Sequence, residues 1–201
     1  MSLIERLRVV FSGPLGDHPL LIPGDPVDPP PPGEERMPAP AAVLVPVVTR
    51  SEPSLLFTLR PETMRRHAGQ VSFPGGRIDA EDENAVAAAL REAEEEIGLR
   101  SAHVEIIGPA DLYRTVTGYA VTPVIGLVPP DLQLTPNAAE VADIFEAPLS
   151  YLLDPRHQSL RTAFYQGRER HYYEILWEDR RIWGATAAMI VNLGRRLATL
   201  S

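Results

Sequence analysis

Three glutamates in the segment REAEEEIGL, residues 91–99, have a spacing that could bind a metal ion. On a helix that turns about 100° per residue, Glu92, Glu95 and Glu96 share one face. Like charges at these spacings repel by about 0.2–0.5 kcal/mol per pair, and they lie near the negative end of the helix dipole, so local stability does not explain them. Clustered carboxylates supply the oxygen ligands that Mg²⁺ and Mn²⁺ prefer. Taken on the helix alone, a solvated acidic face explains the run equally well.

A glycine-containing loop, residues 72–77, stands just before this helix and favours the metal site. Gly75 and Gly76 permit unusual backbone dihedrals and let the backbone approach a ligand closely. Two adjacent glycines alone would indicate only a turn. Their position beside the acidic helix makes the pair informative.

The elements that must position these residues follow from periodicity. An apolar stripe opposite the glutamates predicts a helix over residues 84–97, ended by Gly98; its members are Val86, Leu90, Ala93 and Ile97. Two β-prone runs, residues 41–49 and 54–60, predict a hairpin or adjacent strands. Further strands are predicted at residues 103–107, 112–116, 121–128, 171–177 and 181–183, and further helices at residues 149–153 and 185–200. This mixed order predicts an α/β or α+β layered domain with helices packed on a sheet.

The first forty residues differ from the rest of the chain. Leu3, Ile4, Leu7 and Phe11 recur at helical spacing, and residues 13–40 are rich in proline. We therefore expect residues 1–40 to form a short helix followed by a proline-rich segment, and residues 41–201 to form one folded domain.

Composition excludes several functions. The 27 acidic and 19 basic side chains give a formal charge of −8, so neither nucleic acid nor an anionic membrane is an expected partner. The absence of cysteine excludes disulfides, thiolate zinc sites and cysteine nucleophiles. Charges at Glu5, Arg6 and Arg8 interrupt the apolar N-terminal stretch, which fits no signal peptide, so a cytoplasmic location is expected.

The acidic segment resembles the Nudix box, whose pattern is glycine, five residues, glutamate, seven residues, then Arg-Glu-apolar-any-Glu-Glu-any-Gly-apolar. Residues 91–99 match throughout, and Glu83 stands at the required distance before Arg91, but six residues separate Gly76 from Glu83. Residues 55–76, LLFTLRPETMRRHAGQVSFPGG, are similar to the signature of the coenzyme A pyrophosphatase branch, in which this longer spacing is usual. The segments PNAAEV (136–141) and IWGATA (182–187) are also similar to that branch.

The resemblance implies a Nudix-like α/β/α sandwich with a central mixed sheet. It implies that Glu92 and Glu96 bind Mg²⁺ or Mn²⁺, that Glu95 binds directly or through water, and that a loop carbonyl near Gly76 completes the shell. Arg91 is expected to hold a glutamate in place, with Glu83 as its structural partner.

The substrate implied is coenzyme A or an acyl derivative, cleaved to adenosine 3',5'-bisphosphate and 4'-phosphopantetheine or its acyl form. Either Glu95 or Glu140 is the candidate general base, although Glu140 could equally begin a helix over residues 141–145. The expected substrate contacts come from the upstream block: Arg60, Arg65, His67 and Phe73. Two alternatives remain, a Nudix hydrolase of ADP-ribose or another nucleoside diphosphate derivative, and a non-catalytic Nudix-fold nucleotide-binding module.

Overall fold

The structure is a computed structural model that describes residues 1–16, 21–25, 37–63, 68–165 and 167–200. Within these residues the chain forms helices α1 (Leu3–Phe11), α2 (Ala85–Ile97), α3 (Leu149–Leu153) and α4 (Ala185–Ala198). The strands, in chain order, are β1 (Ala39–Val48), β2 (Ser54–Leu59), β3 (Val71–Ser72), β4 (Gly75–Arg77), β5 (Glu105–Pro109), β6 (Tyr113–Arg114), β7 (Tyr119–Val128), β8 (Asp143–Pro148), β9 (Gln158–Tyr165), β10 (Arg168–Trp177) and β11 (Arg180–Trp183).

A mixed sheet forms the centre of the molecule. Strand β1 runs parallel to β7 along its whole length, from the pair Ala39–Tyr119 to the pair Val48–Val128. The main path of the sheet is β3-β2-β1-β7-β5, with β4 beside β1, β6 beside β7 and β8 beside β2, all antiparallel. Most of β1 is buried because layers cover both faces of the sheet, which explains its nearly continuous apolar sequence.

Helices cover both faces of this sheet. On one face α2 packs Ala88, Ala89, Ala93 and Ile97 against residues such as Leu44 and Val124. On the other face α1, α3 and α4 enclose the larger core, which includes Phe11, Leu149 and Met189. The predicted α/β/α sandwich is confirmed. The apolar face of α2 is rotated from the predicted one, because the small side chains of Ala88 and Ala89 approach the sheet while Val86 and Leu90 stay half-buried.

The N-terminal helix packs into the same core as the sheet. Leu7 and Phe11 are fully buried, and Ser2 caps the helix by accepting a hydrogen bond from the backbone N–H of Glu5. Further along, the side chain of Asn192 forms two hydrogen bonds with the backbone of Ile22. The described N-terminal segments are therefore fastened to the domain, while the division of the chain at residue 40 stays a prediction.

Strands β3, β4, β8 and β9 form where no strand was expected. The helix considered for residues 141–145 does not form: residues 138–140 make a turn and β8 begins at Asp143. Strand β9 belongs to a small second sheet of order β11-β10-β9. Across the described ranges, no helix is long and apolar enough to cross a membrane.

Candidate metal centre and active site

Helix α2 carries the three predicted ligands and is fixed at both ends. The side chain of Asn84 accepts hydrogen bonds from the backbone N–H groups of Val86 and Ala87, at 2.9 and 3.1 Å. Gly98 takes a left-handed conformation with φ of 68° and donates its N–H to the carbonyl of Glu94 at 2.9 Å. Because capping and packing hold the backbone, the orientation of the acidic face is set before any ligand binds.

Glu96 is the most deeply buried of these carboxylates. The residue is 4% exposed, and burial raises its pKa to about 7. The backbone N–H of Gly75, 3.3 Å from Oε2, and the guanidinium of Arg60, 4.0 Å from Oε1, oppose this increase only in part. A bound cation would stabilise the ionised form of Glu96 that the surroundings now disfavour.

Glu92 lies against the glycine loop. Burial raises its pKa, although Arg91 Nη1 donates a hydrogen bond to Glu92 Oε1 at 2.9 Å. A Cβ atom added to Gly76 would lie 2.4 Å from the same oxygen, so any side chain at this position would displace the Glu92 carboxylate. The loop therefore brings Gly76 into direct contact with a predicted ligand, as its two glycines suggested.

Two further carboxylates flank this buried pair. The Glu95 side chain is 61% exposed and its Oε2 lies 3.4 Å from Arg91 Nη1. Glu140, in the turn before β8, is exposed but close enough to raise the pKa values of Glu92 and Glu96. The structure thus brings one carboxylate from a separate loop to the acidic face of α2.

The loop that carries Glu140 is attached to the end of α2. The N–H of Thr135 donates to the carbonyl of Ile97 at 2.9 Å, and the N–H of Asn137 donates to the carbonyl of Glu96 at 2.8 Å. The N–H of Glu140 in turn donates to the carbonyl of Asn137 at 2.9 Å. These backbone bonds couple the position of Glu140 to that of the helix.

Arg91 is held by Asp82 instead of the expected Glu83. Arg91 Nε and Nη2 donate to the two carboxylate oxygens of Asp82 at 3.0 and 2.8 Å, and this pairing lowers the pKa of Asp82. Arg91 Nη2 also donates to the carbonyl of Arg77 at 3.1 Å, which ties the glycine loop to α2. Glu83 is exposed, because the turn before Asn84 directs Asp82 inward. The prediction of Glu83 as the partner was wrong. The signal for Asp82 was its spacing, since five residues separate it from Gly76.

Among its described residues, the upstream block 55–76 places the cation Arg60 beside Glu96 of helix α2. Arg60 follows β2, and its Nε is buried and makes no hydrogen bond to any residue that the structure describes. Phe73 is 3% exposed and stacks on Phe57 with ring centroids 5.0 Å apart, so its side chain supports the loop from within the core. Arg65 and His67 lie outside the described residues.

The residues present fit a divalent cation by their chemistry. Half-buried Glu92 and buried Glu96 offer hard oxygen ligands whose charge needs compensation, and Gly76 leaves space beside them. Among the residues with described placement, no three carboxylate or imidazole side chains are already arranged to hold a metal ion. Arg91 contacts Oε1 of Glu92 and Oε2 of Glu95, so a cation bound here would use the other oxygen of each carboxylate.

Comparison with known proteins identifies the family. The family model described as the NUDIX domain matches residues 38–166. The chain belongs to the Nudix family. The Nudix match includes α2, the glycine loop, Arg60 and Glu140, so all the predicted site residues lie inside it.

Relatives with similar sequences are Nudix hydrolases. The chain is 42% identical over 157 residues to the uncharacterized Nudix hydrolase NudL of Photorhabdus laumondii. The alignment covers 78% of this chain and 84% of that protein. It is 43% identical to NudL of Escherichia coli strain K12, covering 78% of this chain and 82% of that one. Among solved structures, the C. elegans Ap4A hydrolase binary complex is 17% identical with a TM-score of 0.48, and the match covers 55% of this chain and 80% of that one.

Proposed function

We propose that this Nudix hydrolase cleaves the diphosphate bond of coenzyme A and its acyl derivatives, releasing adenosine 3',5'-bisphosphate and 4'-phosphopantetheine or acyl-phosphopantetheine. The observation that carries the hydrolytic part is that buried Glu96 lies beside Arg60, and that Glu92 and Glu140 are close enough to raise its pKa. The substrate part is supported by the similarity of residues 55–76 to the coenzyme A pyrophosphatase branch.

The proposed ligands of the cation are Glu92 and Glu96, with Glu95 bound directly or through water and the Gly76 carbonyl completing the set. When bound, Mg²⁺ or Mn²⁺ would neutralise the negative charge of the diphosphate and lower the pKa of water. Arg91 orients Glu92 through its hydrogen bond, and Asp82 in turn holds Arg91.

A carboxylate from the chain accepts the proton of the attacking water. The oxygen of that water forms a bond to one phosphorus, and the bridging P–O bond breaks to release the other phosphate. Glu140 is one candidate base because its charge raises the pKa values of both Glu92 and Glu96 from a separate loop. Glu95 is the other, since it projects from α2 with most of its side chain exposed to solvent. Separate Glu95→Gln and Glu140→Gln variants distinguish them, because loss of the base removes the acidic limb of the pH–rate profile, where the rate rises as the base ionises.

Phosphate binding is assigned to the basic residues of the upstream block. Arg60 is the candidate with support from its position, because its guanidinium lies 4.0 Å from Glu96 and can neutralise a phosphate that reaches the acidic face of α2. Arg65 and His67 are proposed to contact phosphate by the resemblance alone. Phe73 was expected to contact substrate; its buried stacking on Phe57 supports a role in shaping the loop instead.

The test is hydrolysis of a panel of diphosphates with Mg²⁺ or Mn²⁺, with product identification. The panel contains coenzyme A, acetyl-coenzyme A, ADP-ribose, a dinucleoside polyphosphate and a nucleoside triphosphate. We expect coenzyme A compounds to be cleaved best and adenosine 3',5'-bisphosphate to appear. Far better cleavage of ADP-ribose would overturn the substrate assignment, and no cleavage of any compound would favour a non-catalytic binding module.

A variant pair tests the ligand assignment in the same assay. Glu96→Gln should lower turnover by about 100-fold or more while the protein stays folded. Glu94→Gln is the matched control, since Glu94 is an exposed glutamate on the same helix. Equal turnover by Glu96→Gln and the wild type would contradict the role of Glu96.

A further inference from the structure

Strand β9 ends the small sheet with an open edge. Within the described residues it pairs with β10 alone, from Gln158–Ile175 to Tyr165–Arg168. Alternate residues of an edge strand direct their backbone N–H and C=O groups away from the sheet. Residues 160–164 are all exposed, so an eight-residue strand offers unpaired backbone groups at the surface.

The exposed part of β9 carries two large apolar side chains. Leu160 is 60% exposed and Phe164 is 78% exposed. They lie on the same face of the strand, two residues before and two residues after Thr162. Two large apolar groups on one exposed edge indicate a surface that another chain covers.

Strand β9 lacks the features that normally prevent edge pairing. It contains no proline and no lysine. Its one cation, Arg161, donates to Glu174 Oε1 at 2.9 Å, and Arg181 shares the same carboxylate. This ion pair holds the Arg161 side chain against the neighbouring strand β10.

We propose that β9 pairs antiparallel with β9 of a second copy of this chain, about a two-fold axis at Thr162. In this register Leu160 lies opposite Phe164 of the partner subunit, and Phe164 lies opposite Leu160 of the partner subunit. The two small sheets then form one continuous six-stranded sheet, β11-β10-β9 followed by the same three strands in reverse.

The sequence of β9 selects this register over its neighbours. A shift by one residue puts Leu160 and Phe164 of one strand on the opposite face from Leu160 and Phe164 of the partner subunit. A shift by two residues along the same face leaves at least one of them without an apolar partner. The register centred on Thr162 pairs both at once, and it places Arg161 opposite Ala163, a small neutral residue.

A single introduced cysteine tests the register, because the chain has none of its own. Residues directly opposite each other in antiparallel strands have Cβ atoms about 4.5–5.5 Å apart, close enough for a disulfide after small adjustment. Thr162→Cys should therefore form a disulfide-linked dimer on mild oxidation. The control is Leu176→Cys, at an exposed apolar position on β10 and on the other face of the sheet. Equal or faster crosslinking of the control would overturn the proposal.

Sedimentation equilibrium tests the association itself. The wild type should form dimers, and Leu160→Lys/Phe164→Lys should weaken dimerisation by about 100-fold through lost apolar contact and opposed charges. Leu160→Glu/Phe164→Lys should restore much of it, because each glutamate then faces a lysine of the partner subunit. Leu176→Lys should leave it unchanged, and circular dichroism checks that each variant is folded. A wild type that is monomeric throughout, or a dimer indifferent to the double lysine variant, would refute the proposal.

Discussion

Replacing Glu96 with glutamine should change how the stability of the metal-free protein depends on pH. In the folded chain this carboxyl is 4% exposed, and burial raises its pKa from 4.5 to about 7. Glutamine has nearly the same shape but cannot ionise. The variant therefore removes the charge while it keeps the packing of α2 against the sheet.

The size of the effect follows from the pKa difference between the two states. Below about pH 4.5 the carboxyl is protonated in both the folded and the unfolded chain and has no effect. Between 4.5 and about 7 the unfolded chain ionises first, so the free energy of unfolding falls as the pH rises. Above that range the loss reaches a plateau of about 3 kcal/mol, at about 1.4 kcal/mol per pKa unit. Glu96→Gln lacks this loss.

The assay is urea unfolding of both proteins in the presence of a chelator, at about pH 5 and about pH 8. Relative to the wild type, Glu96→Gln should be more stable at the higher pH than at the lower one. Adding Mn²⁺ at the higher pH should stabilise the wild type and have little effect on the variant. Glu94→Gln should follow the wild type throughout. The same pH dependence in wild type and Glu96→Gln would refute the reasoning about the buried charge.

Two further predictions concern the residues around the ligands. Asp82→Asn should weaken Mn²⁺ binding about 10- to 100-fold, because it loosens the arginine that orients the acidic face, whereas exposed Glu83→Gln should bind normally; calorimetric titration with Mn²⁺ measures both. Gly76→Ala should reduce both Mn²⁺ affinity and turnover, because its new methyl group would lie 2.4 Å from a Glu92 oxygen. Gly13→Ala, which meets no atom within 4 Å, is its control, and equal loss in both would show that the collision does not matter.

Elements with a strong period were predictable from the sequence. The helix expected at residues 84–97 is α2 (Ala85–Ile97), and the one expected at residues 149–153 is α3 with the same bounds. The parallel pairing of β1 with β7 was not predictable in detail, because it joins strands that are distant along the chain. The central sheet between helices was expected from the family resemblance, and the structure bears it out.

Strands whose formation depends on their neighbours were missed. Residues 141–145, which overlap β8, were considered as a helix because a short apolar run fits a helix and a strand equally well. Pairing with β2, from Ser54–Pro148 to Leu59–Asp143, makes it a strand. Strand β9 gave little signal, since it lies at an exposed edge and its partner β10 fixes its conformation.

At the site, the spacing in the sequence predicted the carboxylates of α2 but not the residues that hold Arg91 and the glycine loop in place. The helical period alone brings Glu92, Glu95 and Glu96 together, so their shared face was predictable. The choice between Asp82 and Glu83 as partner of Arg91 depends on how the preceding turn directs each side chain, which spacing does not determine. The burial of Phe73 likewise depends on its contact with Phe57 in another strand.

The central claim is that the acidic face of α2 holds the catalytic cation, and the most direct measurement is anomalous diffraction from a crystal soaked in Mn²⁺. The account predicts an anomalous peak within coordination distance, about 2.0–2.3 Å, of carboxylate oxygens of both Glu92 and Glu96. The Glu96→Gln crystal soaked in the same way should have a much weaker peak or none. A strong peak elsewhere, with no density between Glu92, Glu96 and Gly76, would contradict the account.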